Sequence, residues 1–214
     1  MATDAADRSR RTGVLAAGVL AGTLTLAAAG CGSPAPAAPG SAATHHPMPA
    51  HSHAMTESAP FGPDCGMVPA TGMGSFHGMS MDLAVTAAAH NPLLTAFAAD
   101  VKTAGLVSEL DSMQALTVFA PANSAFRKLS ASQMSMMHST AELAKVLKYE
   151  VVTGRVTPTE LALGMTLDTL EGSPLKTSKL GSVYEVNNAD VICGNIKTAN
   201  ATVYVISKVL TPMH

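Results

Sequence analysis

Leu116-Thr-Val-Phe-Ala-Pro-Ala-Asn-Ser-Ala-Phe-Arg-Lys-Leu129 holds a strand, a break, a cap and the start of a helix in one short run. Leu116 to Phe119 is apolar on both faces, the pattern of a strand buried on both sides. Pro121 has no backbone N–H, so ladder pairing is expected to stop there. Asn123 follows at a position where its side chain can cap the free amides of a new helix, with Phe126 and Leu129 on that helix's inner face. On pattern alone this is a strand-to-helix corner of an α+β domain.

Outward from this corner the two halves of the chain differ. Upstream, residues 81–90 are alanine-rich and helical, and Asn91-Pro92 reads as the N-cap and first residue of a helix carrying Leu94, Phe97 and Val101, stopped by Gly105. Downstream, residues 131–138 place Met134 and Met137 inward, and Ser139-Thr-Ala-Glu142 fits a capping box ahead of the stripe Leu143, Val146 and Leu147. Tyr149 to Val152 reads as a strand closed by Gly154, with Glu150 at a strand end near water, where replacement by alanine is expected to cost little. Thr157-Pro158-Thr159-Glu160 repeats the capping pattern.

Residues 165–170, 175–180, 182–186, 189–193 and 201–210 are short, rich in β-branched side chains and separated by Gly, Asn or Pro, so they are expected strands. Asn187-Asn188 suits a tight hairpin, because asparagine tolerates positive φ. The last strand is almost continuously apolar and is placed in the middle of the sheet. Helices first and strands last give an α+β class, with helices covering a largely antiparallel sheet.

The N-terminus carries targeting information. Arg8, Arg10 and Arg11 precede an uncharged apolar run from Gly13 to Ala29, shorter than a membrane span needs. The run ends in Leu26-Ala-Ala-Ala-Gly30-Cys31, which resembles a bacterial lipobox with Cys31 as the lipidated first residue of the mature chain. Ser9-Arg10-Arg11 is a partial twin-arginine signal, so both export routes stay open. Residues 1–30 are therefore expected to be a lipoprotein signal peptide, and residues 31–60, rich in Ala, Pro and small residues, a disordered tether.

Within the tether stand His45, His46, Met48, His51, His53 and Met55. Thioether favours Cu(I), and imidazole accepts Cu(II) or zinc, so these six are candidate metal ligands. Met73, His77, Met79 and Met81 can extend such a site, although packing is the expected role for most of these methionines. The net charge of −2 and the absence of tryptophan argue against a nucleic-acid surface, and no cofactor is implied. No GxSxG elbow, HExxH, phosphate-binding glycine loop or CxxC is present, so no enzyme is indicated.

Three segments together resemble the fasciclin (FAS1) domain family. Thr117 to Phe126, TVFAPANSAF, is similar to the family's TVFAPTNxAF. Tyr149-Glu-Val-Val-Thr-Gly154 is similar to YHVVxG, and Asn200-Ala-Thr-Val-Tyr-Val-Ile-Ser-Lys-Val-Leu-Thr-Pro212 to NGxVHVIDxVLxP. The resemblance covers about residues 76–213 and implies a wedge-shaped β-sandwich of about seven strands with helices alongside, in a domain assigned to 61–214. It marks Val118, Phe119, Pro121, Asn123, Phe126, Tyr149, Val205, Ile206, Val209 and Leu210 as fold-signature positions. The pattern is similar to single-domain exported antigens and surface lipoproteins of mycobacterial type. That likeness implies a disulfide between Cys65 and Cys193, with Cys31 committed to lipid.

Glu150 stands where the family has histidine, Tyr204 where histidine is common and Ser207 where aspartate is. An adhesive role through the tyrosine–histidine segment is therefore not carried over. The resemblance implies a lipid-anchored binding module of the cell envelope, with a protein or cell-wall glycan as partner; a metal-handling lipoprotein using the His/Met tail is the alternative. Asn200-Ala-Thr202 is a formal glycosylation sequon that reads as fold signature.

Overall fold

The computed structural model describes residues 59–212. A 3-10 turn at Pro63–Met67 leads into α1 (Phe76–Met81), α2 (Ala84–His90), α3 (Thr95–Thr103) and α4 (Val107–Ser112). Strand β1 (Leu116–Pro121) precedes α5 (Asn123–Phe126), α6 (Ala131–Met137) and α7 (Thr140–Tyr149), then β2 (Val151–Thr153) and α8 (Pro158–Ala162). The strands β3 (Thr166–Asp168), β4 (Pro174–Leu180), β5 (Val183–Val186), β6 (Ala189–Lys197) and β7 (Ala201–Ile206) complete the domain.

Hydrogen bonding orders the strands β2-β1-β7-β6-β5-β4-β3. β1 and β7 run parallel, and every other pair is antiparallel. The sheet bends until its edges meet: Val152 bridges Thr169, and the Leu170 N–H donates to the Val151 carbonyl at 2.8 Å. The seven strands and flanking helices of the expected α+β class are present, and the layers of the sandwich are parts of one sheet that nearly closes. Closure protects backbone groups that an open edge would expose.

Strand alternation sorts the central residues into two cores. Leu116, Val118 and Ala120 of β1, with Ala201, Val203 and Val205 of β7, face the layer built from α1 to α4 and α7. Phe119, Tyr204 and Ile206 point the other way, into the space enclosed by the bent sheet, against Leu167, Leu175 and Val186. Apolar side chains on both faces of β1 and β7 are thus required by burial on both faces. Asn187 and Asn188 have φ of 44° and 62°, the two positive values that a tight β5–β6 hairpin needs.

Several local expectations are corrected. β1 runs through Pro121 because its missing N–H faces away from β7. The Phe119 amide donates to Glu150 on the β2 side and the Ala122 amide to Ile206 on the β7 side, so by alternation Pro121 faces the side where β2 has already ended. Tyr149 closes α7 rather than opening a strand, and Glu150 is buried, with 0% exposure. β7 stops at Ile206; Val209 and Leu210 are buried beyond it, and β6 runs on to Lys197 through two register shifts. Ser139 is the N-cap of α7 without a side-chain cap bond, whereas capping boxes form at Ser130 with Gln133 and at Thr157 with Glu160. Met134 is 46% exposed and does not face inward; Met137 is only partly buried. α3 begins at Thr95, and Asn91 instead turns the chain before it, its Oδ1 accepting from the Leu93 amide.

Candidate binding surface

The segment before α1 is fixed to β6. Phe61 and Gly194 exchange both backbone hydrogen bonds, at 3.2 and 2.7 Å, and Cys65 is joined to Cys193 by a disulfide. Gly62 has φ +119°, and a Cβ there would lie 2.4 Å from the Ile192 carbonyl oxygen, so only glycine lets the two backbones approach so closely. The Phe61 ring is thereby set 4.6 Å from the Tyr184 ring of β5 and 6.4 Å from the Tyr204 ring of β7.

Between this segment and the β4–β5 hairpin lies an open cleft of about 890 Å3, lined by Phe61, Leu180, Val183, Tyr184 and Ile192, with Pro158 from α8. Leu180 is 74% exposed and Val183 is 41% exposed, although both are apolar. The Lys179 ammonium sits 4.6 Å from the centre of the Tyr184 ring, a cation–π contact, while Glu185 and Asp190 bring negative charge to the same cleft. A concave apolar surface with a few charged groups of both signs has the chemistry to hold an aromatic or aliphatic group. The sequence signal for this surface was a leucine and a valine flanking the hairpin turn Gly181-Ser182, where polar residues are usual. It was missed because the other wall of the cleft, Phe61, is far away in sequence.

The tyrosine–glutamate segment offers no such surface. Tyr149 is 1% exposed; its hydroxyl donates to the Pro174 carbonyl at 3.2 Å and accepts from the Asn187 amide group at 2.7 Å. Glu150 Oε1 accepts from the Leu210 N–H at 3.0 Å, and Oε2 has no hydrogen-bond partner. Burial pushes the Glu150 carboxyl well above its ordinary range; the Leu210 hydrogen bond opposes this and the nearby Asp100 adds to it. These two residues join α7, the β4–β6 region and the C-terminal segment from the inside.

Two asparagines clamp helix ends. Asn123 is the first residue of α5, with Ala122 as N-cap, and its side chain serves α3 instead. Oδ1 accepts from the Ala96 amide at 2.9 Å, and Nδ2 donates to the Pro92 carbonyl and the Thr95 hydroxyl. Asn200, 2% exposed, accepts from the Ala84 amide at the start of α2 and donates to the Leu110 and Met113 carbonyls at the end of α4. Of the other signature positions, Val118, Phe119, Pro121, Val205, Ile206, Val209 and Leu210 are buried, and Phe126 is partly buried against Val209 and its neighbours. Cys31 and the six candidate metal ligands His45, His46, Met48, His51, His53 and Met55 lie outside the described residues. Among the described residues, no three His, Cys, Asp or Glu side chains cluster as metal ligands, and no helix is long and apolar enough to cross a membrane.

The model of the fasciclin domain family matches residues 92–212, more than half of the chain. The chain belongs to the fasciclin domain family. Its relatives in that family include the immunogenic protein MPB70 of Mycobacterium bovis, 41% identical over 160 residues that make up 71% of this chain and 81% of the relative. The cell surface glycolipoprotein MPB83 of M. bovis is 38% identical over 148 residues, 66% of each chain. Among solved structures, a FAS1 domain pair from the insect cell adhesion molecule Fasciclin I superposes with a TM-score of 0.54 at 15% identity, covering 63% of this chain and 52% of that one. At that identity the likeness is one of fold. The fasciclin match ends at Pro212 and includes both asparagine clamps and the Tyr149–Glu150 segment, while the Phe61 side of the cleft lies upstream of it.

Proposed function

We propose that this chain is a lipid-anchored, extracytoplasmic surface protein whose fasciclin domain is a non-catalytic binding and adhesion module. The cleft between Phe61 and the β4–β5 hairpin carries this reading: Leu180 and Val183 keep apolar surface in water beside aromatic rings and charges of both signs. Water-exposed apolar surface of this kind gains free energy when a partner covers it. The partner is another envelope protein or a cell-wall glycan, reached from a membrane to which the lipidated Cys31 ties the chain through residues 31–60. Two relatives support the setting by name, one as a cell surface glycolipoprotein and the other, by fold, as a cell adhesion molecule.

Co-sedimentation of the purified chain with envelope material from its own cells tests the reading. Leu180→Asp with Val183→Asp, at exposed positions that leave the core intact, is expected to abolish retention while the circular dichroism and thermal midpoint stay unchanged. Retention equal to wild type would refute the cleft as the binding face.

A further inference from the structure

Met73, His77 and Met81 line one depression of about 480 Å3 on the opposite side of α1 from the core, together with Ser75 and Asp82. His77 and Met81 are four residues apart on α1 and so share a helix face. Met73 reaches the same place from the preceding loop, which is held to the helix by its own hydrogen bonds. The Gly72 carbonyl accepts from both the amide and the hydroxyl of Ser75, and Ser75 Oγ accepts from the Gly78 amide at 3.1 Å. Gly78 permits this approach: a Cβ there would fall 2.3 Å from the Gly72 oxygen and 2.7 Å from Met73 Cα.

Packing explains Met79 but not its neighbours. Met79 is 1% exposed in the helical core, and its sulfur accepts from the Asn91 amide group. Met73 and Met81 are 61% and 74% exposed, so both thioethers stand in solvent beside an exposed imidazole. Exposure alone does not single them out, since Met67 is 61% exposed as well; what sets Met73 and Met81 apart is that they share one depression with the His77 imidazole.

We propose that Met73, His77 and Met81 form a Cu(I) site, with two thioether sulfurs and one imidazole nitrogen as ligands. Neutral thioethers select Cu(I) over zinc, magnesium or calcium, and imidazole is compatible with that choice. Asp82 also lines the depression, with Oδ2 3.4 Å from His90 Nδ1; a carboxylate is a hard donor that Cu(I) does not favour, so the thioethers and imidazole define the site. The backbone under all three ligands is fixed by the Ser75 and Gly78 contacts, so binding has only exposed side chains to order. This site lies on the folded domain and is independent of the adhesion reading.

The test uses the mature chain with His45, His46, Met48, His51, His53 and Met55 replaced by serine, so that bound metal belongs to the domain. Methionine methyl groups are labelled with 13C, and Ag(I), a redox-inert stand-in, is added to one equivalent before Cu(I) is titrated against bicinchoninate. The Met73 and Met81 methyls and the His77 ring are expected to shift, while Met67 and Met134, themselves 61% and 46% exposed, stay in place. Met73→Leu with Met81→Leu, or His77→Gln, is expected to weaken Cu(I) at least about tenfold, the loss that even an outer-shell change causes. Failure to compete with bicinchoninate, or shifts at Met67 and Met134 in step with the others, would overturn the site.

Discussion

Glu150 holds a carboxyl in the interior where the family pattern has histidine, and its chemistry follows from that burial. In the unfolded chain it ionises near its ordinary value of 4.5; in the folded chain desolvation keeps the proton on to higher pH. Within that window the folded state binds more protons than the unfolded state, so stability falls as pH rises through it. Glu150→Gln keeps an acceptor for the Leu210 amide and cannot ionise. Urea unfolding is expected to show little difference between variant and wild type at about pH 4, and a more stable variant at about pH 8. A difference independent of pH would mean that Glu150 does not titrate with folding. Sequence reasoning placed this residue near water because a charged side chain at a strand end is normally solvated; the hydrogen bond from the Leu210 amide shows the C-terminal segment returning over it. The phenylalanines were more legible. Phe119 has 0% exposure and its replacement by alanine is expected to cost about 3–5 kcal/mol, whereas the partly buried Phe126 should cost less. Equal losses in chemical denaturation would mean that Phe126 is as deeply packed as Phe119.

At the level of elements, the strands were readable because two-sided burial leaves continuous apolar runs, as in Leu116 to Ala120 and Ala201 to Ile206. Helix ends were less readable, because the groups that satisfy them come from distant parts of the chain. Asn123 resembles a local cap and serves α3 across the fold, while Asn200 resembles a glycosylation sequon and holds α2 to α4. Asn123→Ala is expected to destabilise by about 0.5–2 kcal/mol, the range for a lost cap. Asn200→Ala should cost more, because its amide partners are buried and each orphaned group adds about 1–3 kcal/mol. Thermal and urea unfolding of the pair check the ranking; a milder Asn200→Ala would show that water replaces its bonds. The capping box at Thr157 to Glu160, by contrast, was fully local and correctly legible. The cleft was not legible, because Phe61 and Tyr184 are far apart in sequence and meet only through the Phe61–Gly194 rung.

For the whole molecule, the disulfide closes a loop across a separation of 128 residues, which in the chain-entropy model corresponds to about 4–5 kcal/mol. Cys65→Ser with Cys193→Ser is expected to lower unfolding stability by up to that amount, and intact mass after alkylation of the unreduced chain should show both thiols blocked by their bond; two alkylated cysteines would contradict it. The proposed lipid anchor at Cys31 is tested separately. Two or more acyl groups on Cys31 are needed for stable membrane retention. Cys31→Ala should therefore move the protein from the membrane to the soluble fraction, and continued membrane fractionation would rule out the lipid anchor. Binding is tested most directly by following the backbone amide resonances of the 15N-labelled chain as a solubilised envelope fraction is added. Shifts gathered at Phe61, Lys179 to Tyr184 and Asp190 to Ile192, the residues around the cleft, are the predicted result. Shifts centred elsewhere on the domain, with these residues unmoved, would contradict it.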